Sequence, residues 1–408
     1  MNRKKRSFLK NPCNWYFFLW CLCELKGTLY EPGSAISQGL MLILMLISAK
    51  EVLVYYQKYS KYYEKSYKFF KCITMLMMMY TFYGVLLFIT DGFVNQVGPT
   101  YYYLQSYYIS FFPIFTCYVY TKRGLLTLEN FRFWVIIFVV VGVCQYFYAQ
   151  ITALNRMIEK GKNRDEVTNN AGYIMLALVP CMMVYKKKPI LMFAGLAICV
   201  VFVVISMKRG AIMICAVSMT LIVYRQIKSS GKSLKALNML LVLIGLLVLW
   251  YFLNKMIESN DYFNARIQQT LEGDTSERDV IYKNLLDVWI NDFSVIGKLF
   301  GVGGMGTVKV VGMYAHNDWL EILFDNGVLG VLLFINYWKG LYRTAQNKRF
   351  TTDSRFCLLL ILVIYGTKTF FSMSIGGMSI FVTSIFGFAL ADGFSDELAN
   401  NKRSLYEI

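Results

Sequence analysis

The sequence predicts an all-α, polytopic membrane protein, on three observations. Of its 408 residues, 57% are hydrophobic and only 16% charged, too little polar surface for a soluble protein of this length. The apolar residues form long runs without strand alternation, and a helix needs about 20 such residues to cross a bilayer. Lysines and arginines gather in alternate connections, as the positive-inside rule demands. With no water inside the bilayer to satisfy backbone groups, only helices or a closed barrel can span it, and unalternating runs select a helical bundle.

About twelve spans can be placed by the length criterion. They lie near residues 13–30, 36–54, 72–90, 104–121, 132–150, 170–185, 189–206, 210–224, 236–255, 317–337, 356–372 and 374–392. The segments "NRKKRSFLK", "KYSKYYEKSYKFFK", "KRG", "KKK", "RQIKSSGKSLK", "KGLYRTAQNKRF" and "NKR" then share one side. That side is cytoplasmic, with both termini on it. The net charge of +17 is thus a topology signal; a nucleic-acid binder would need the charge on one soluble face. Residues 1–408 read as a single integral membrane domain.

The first span resembles a signal peptide in charge, but "NWYFFLWCLCELKGT" lacks a small-residue cleavage site and reads as an uncleaved helix. The ten cysteines sit singly in or near apolar segments, without metal-site or disulfide spacing, and read as small core residues. Tyrosines in "TYYYLQSYYISFF" fit an interfacial belt.

The only sizeable extramembrane stretch, residues 256–316, falls outside the cytoplasmic membrane. In "SERDVIYKNLLDVWIND" the apolar Ile281, Leu285, Val288 and Trp289 form a helical stripe, expected along the bundle's outer surface or in the headgroup plane. The glycines of "GKLFGVGGMG" are not a nucleotide cradle, since no Gly-Lys-Ser/Thr and no strand–helix unit accompany them. They read as flexible turns that let the loop fold over a cavity.

Next comes "YAHNDWLEILFDNGVLGVLLF", with the chain's only histidine. On a helical wheel starting at His316, Asp318, Glu321 and Asp325 fall at about 200°, 140° and 180°, sharing a face opposite the imidazole if the helix includes it. A carboxylate as deep as Asp325 needs a partner or an aqueous cavity. Lys368, at comparable depth, is the expected partner, bracing two spans. A lone interfacial histidine commonly caps a helix, but His316 differs in two ways. It is the one extramembrane side chain whose ordinary pKa suits proton transfer near neutrality, and it joins the long loop to a span carrying acids. Lys208 and Arg209, in "ISMKRGAIM", stand at outer helix ends against the positive-inside bias, and Arg266 and Arg278 lie in the long loop. Each suits surface ion pairing or the grip of a phosphate.

These residues carry a resemblance. "HNDWLEILFDNGVLG" resembles the His-Asn-x9-Gly-x-x-Gly pattern of the O-antigen ligase and polymerase superfamily, with His316, Asn317, Gly327 and Gly330 in register and Asp325 where an acid is usual. "TSERDVIYKNLLDVWINDFSVIGKLFGVGGMG" is similar to its Ser/Gly-x-Arg helix and Leu-Phe-Gly-x-Gly, which aligns Arg278. "ISMKRGAIM" is similar to its Ser-x-Ser-Arg-Gly-Ala segment, aligning Arg209, with lysine in place of the usual serine. "TNNAGYIMLALVP" is like its Asn-Asn/Pro-Asn segment.

The resemblance implies a GT-C-like glycosyltransferase of the bacterial cytoplasmic membrane that uses undecaprenyl-diphosphate-linked glycans, without metal or other cofactor. His316, Arg278 and Arg209 would be catalytic, and Arg266, Lys208 and Asn317 substrate-binding. Asp325, Lys368, Gly327 and Gly330 would support them. Membrane lipid, a chain-length regulator and a flippase are the expected partners, and nucleic acid is not. The expected activity is polymerisation of lipid-linked repeat units. The alternatives are ligation to lipid A-core or protein, and transport of the same glycans, which would better suit a chain with internal repeats.

Overall fold

The computed structural model describes residues 8–91, 97–159, 169–229, 231–259, 261, 264, 265, 268, 278–372 and 379–395. Among them there is no strand, only an isolated bridge between Lys26 and Tyr30. The helices are α1 Pro12–Glu24, α2 Ala35–Val54 with a π-turn Tyr55–Tyr59, α3 Tyr67–Asp91, α4 Val97–Lys122, α5 Leu128–Glu159, and α6 Gly172–Leu178 extended by a 3-10 segment Val179–Tyr185. There follow α7 Pro189–Ile205, α8 Arg209–Ser229, α9 Lys232–Ser259, α10 Arg278–Asn291, α11 Val295–Phe300, α12 Gly306–Val311, α13 Asp318–Gln346, α14 Thr352–Phe371 and α15 Ile380–Leu390.

All twelve expected ranges overlap a helix. Among the described residues, five helical stretches are both long and apolar enough to cross a membrane: Ala35–Tyr59, Tyr67–Leu86, Leu128–Glu159, Arg209–Ser229 and Thr352–Phe371. Gly172–Tyr185, Pro189–Ile205 and Ile380–Leu390 are apolar but shorter. The protein is a multi-pass membrane protein. None of the ten cysteines is in a disulfide, and all but Cys72 and Cys144 are buried, as small core residues should be. Side chains of residues 100–107, which carry most of the expected tyrosine belt, lie outside the described ones.

The chain forms two compact units, each discontinuous in sequence. One comprises Met1–Ile47, Tyr120–Gly273 and Gly393–Ile408; the other comprises Ser48–Val119 and Asp274–Asp392. In the first unit α1 packs on α5 through aromatic edges, Phe17 meeting Phe138 at 5.3 Å between centroids. Asn14, buried among them, accepts from Trp134 Nε1 at 2.9 Å and Asn130 Nδ2 at 2.9 Å, so its polar oxygen is satisfied.

In the second unit α3 and α14 pack on α13, and α15 packs on α14. Gly340 of α13 lets Cys72 approach, where a Cβ would come within 2.8 Å of the sulfur, and Phe69 packs on Tyr337 at 5.3 Å. At one end Asp392 holds Lys65 Nζ at 2.7 Å and accepts from the Thr351 hydroxyl at 2.7 Å and backbone N–H at 3.0 Å. That carboxylate ties the start of α14 to the turn preceding α3.

Candidate functional site

In the second unit the site grows from the start of α13. Asn317 is its N-cap, the side-chain oxygen accepting from Trp319 N at 2.9 Å and Leu320 N at 3.3 Å. The helix therefore begins at Asp318, and His316 lies outside it in the left-handed region, φ 51°. The imidazole is exposed, with the Tyr314 ring 6.4 Å away, centroid to centroid. The wheel that set His316 opposite the acids does not apply to it. It does apply to Asp318, Glu321 and Asp325, all buried on one side of α13.

Glu321 Oε1 accepts from Ala315 N at 2.6 Å and Oε2 from the Thr307 hydroxyl at 2.6 Å. Asp325 Oδ1 accepts from Gly306 N at 2.6 Å. Lys368, buried near the end of α14, has the Asp318 carboxylate as its charge neighbour. The expected Asp325–Lys368 brace is thus not formed: Asp325 is spent on the Gly306 N–H, and the acid whose charge acts on Lys368 is Asp318. Near this pair Trp319 Nε1 donates to Thr369 Oγ1 at 2.9 Å, a second tie between α13 and α14.

The glycine-rich segment is also not the flexible cover that the sequence suggests. α13 breaks at Gly327, φ 65° and ψ −164°. In an unbroken helix the carbonyls of Phe324 and Asp325 would accept from N–H groups four residues on. Here they accept from Val302 N at 2.8 Å and Gly303 N at 3.0 Å instead. Freed carbonyls in an apolar setting require such substitutes. The approach is backbone to backbone: a Cβ on Gly327 would collide with Leu299 and Phe300, and one on Gly301 with Asp325 and Asn326. Gly330 is needed for a different reason, since a Cβ there would strike the Asn326 side chain.

The predicted helix after Arg278 exists as α10, and its stripe packs inward. Leu285, wholly buried, clusters with Ala315, Leu320 and Phe324, and Ile281, Val288 and Trp289 pack alongside. The helix that begins with the half-buried Arg278 therefore rests on the residue preceding His316. Its other end is capped by Lys298 Nζ, which donates to the Ile290 carbonyl at 2.6 Å.

In the first unit the structure joins two of the resembling segments. Asn169 N donates to Ser206 O at 3.0 Å. The Asn169 side chain accepts from Ala171 N at 2.8 Å and donates to Tyr146 O and Gln150 Oε1, each at 3.1 Å. Gly172 leaves room for the Ser206 side chain, which a Cβ would strike. Met207 turns through the left-handed region, φ 54°. Lys208 and Arg209, both half-buried, follow at the start of α8. Arg266 lies outside the described residues.

Glu321 and Thr307 are the residues that sequence reasoning left without roles. Glu321 was visible as one of three acids on a shared helix face, but what it would hold was not. Among the described residues no group of histidines, cysteines and carboxylates could hold a metal ion. Residues 194–335 match a family model described as O-antigen ligase. The matched stretch starts in α7, ends in α13, and takes in Arg209, Arg278, His316, Asn317, Gly327 and Gly330. No curated protein matches the chain.

Proposed function

We propose that this chain, which belongs to the O-antigen ligase and polymerase superfamily through residues 194–335, is a polymerase of undecaprenyl-diphosphate-linked repeat units at the outer face of the cytoplasmic membrane. The family's members are glycosyltransferase-like enzymes. The observation that carries the reading is the exposed imidazole of His316, held on a capped corner against which the helix of Arg278 is packed.

The chemistry asks for little more. An acceptor hydroxyl attacks the anomeric carbon of the donor; its oxygen forms the new bond as the bond to the diphosphate oxygen breaks. His316 takes the hydroxyl proton, and the bonding pair leaves with the diphosphate. Arg278 is the guanidinium in this unit for the charge that develops there. Arg209, Lys208 and Arg266 are assigned to diphosphate binding by motif position. The donor is already activated, so the protein's share is alignment and neutralisation.

The test is the purified protein supplied with lipid-linked repeat units alone. A ladder of products that disappears in His316→Ala is the expected result. The family description favours a second reading, ligation, in which products appear only when lipid A-core is added. No product with either acceptor overturns both.

A further inference from the structure

We infer that Glu321 is a positioning residue for His316, holding the backbone that leads into it rather than touching substrate. The inference rests on the proposed role of His316 as base. His316 occupies the left-handed region, which costs a residue with a Cβ on the order of 1 kcal/mol unless its surroundings impose it. The residues around it show what imposes it.

Two donors converge on the buried Glu321 carboxylate. They are the N–H of Ala315 at 2.6 Å and the hydroxyl of Thr307 at 2.6 Å. The first belongs to the residue that leads into the turn. The second comes from α12, where Thr307 is fully buried, so the carboxylate spans the gap between the glycine-rich segment and the histidine turn. On the other flank Asn317 caps α13. The residue on each side of His316 is thus pinned, Ala315 by Glu321 and Asn317 by its own cap. The imidazole between them stays exposed.

The arrangement needs a carboxylate. Glutamine keeps the shape but puts an NH2 group where one oxygen now accepts, leaving an N–H or the Thr307 hydroxyl buried without an acceptor. The anchoring of the glycine-rich segment on Phe324 and Asp325 does not pass through Glu321, so the corner should survive the change while the turn loosens.

The test uses the full chain in detergent, with lipid-linked repeat units as substrate and four variants: H316A, E321Q, T307V and T307S. The expected result is that E321Q and T307V lower kcat at least tenfold with KM for the donor within about twofold. T307S, which restores the hydroxyl, should stay within threefold of the parent protein. Unfolding temperatures should be little changed throughout. Parental kcat in both E321Q and T307V overturns the inference, as does a loss in T307V that T307S fails to restore. Losses that only track a lowered unfolding temperature overturn it too, since they mark a structural role. H316A separates the failures: a dead H316A beside active E321Q removes the positioning role alone, whereas an active H316A removes the base and its positioning together.

Discussion

The two corners that carry the resembling motifs are built from different materials. In the second unit, at Gly327, backbone meets backbone: carbonyls released by a helix break are taken up by N–H groups of another segment, with no space for a Cβ. In the first unit, at Ser206, one backbone hydrogen bond from Asn169 N makes the join, and side chains pack and bond around it. Asn169 carries four of the hydrogen bonds, and the Ser206 hydroxyl donates back to Val203 O at 2.6 Å. Both satisfy polar groups in an apolar setting. They differ in what they tolerate, because a side chain can be trimmed or rotated and a backbone cannot.

The largest expected effect follows from that difference. Gly327→Ala adds a Cβ against Leu299 at a positive φ, and should cost at least about 3 kcal/mol, read as a lowered unfolding temperature in detergent. No trimming of neighbouring side chains should recover it, and recovery by any single truncation would break the comparison.

Next is the buried pair. Lys368→Met strands the Asp318 carboxylate and should cost about 3 kcal/mol. Adding Asp318→Asn should return most of the loss, whereas adding Asp325→Asn should return none. The opposite pattern would restore the brace that sequence alone suggests.

Gly172→Ala tests the other corner, at about 1–3 kcal/mol. Here the obstacle is the Ser206 side chain, so Ser206→Gly in the same chain should regain stability. The contrast with Gly327 is the sharpest check on the two-material account. The smallest effect is Asn317→Ala, which removes the N-cap and should cost about 1 kcal/mol, while Asn317→Ser should lie within a few tenths of the parent. An equal loss in both would mean that the Asn317 amide does more than cap.

Much of the frame was legible beforehand. Apolar runs of helical length announced the membrane helices, and the 3.6-residue period put Leu285 and its stripe on the buried side of α10. The same period put Asp318, Glu321 and Asp325 on one side of α13, where they are indeed buried. Their partners were not legible. Asp325 and Lys368 were matched by depth, but which acid faces the lysine depends on how α14 is rotated against α13. That is a property of packing between segments far apart in sequence.

By itself, then, the sequence determined the all-helical membrane character, the helical stripe after Arg278, and the cluster of polar residues around the only histidine. These follow from composition and local period, which neighbouring residues set without outside help. Only the tertiary structure decided that α13 breaks at Gly327, that Glu321 holds the turn leading to the histidine, and that Asp325 is held by the Gly306 N–H rather than by Lys368. Each depends on a hydrogen-bond or charge partner delivered by a different segment, and no local pattern records which segment will arrive.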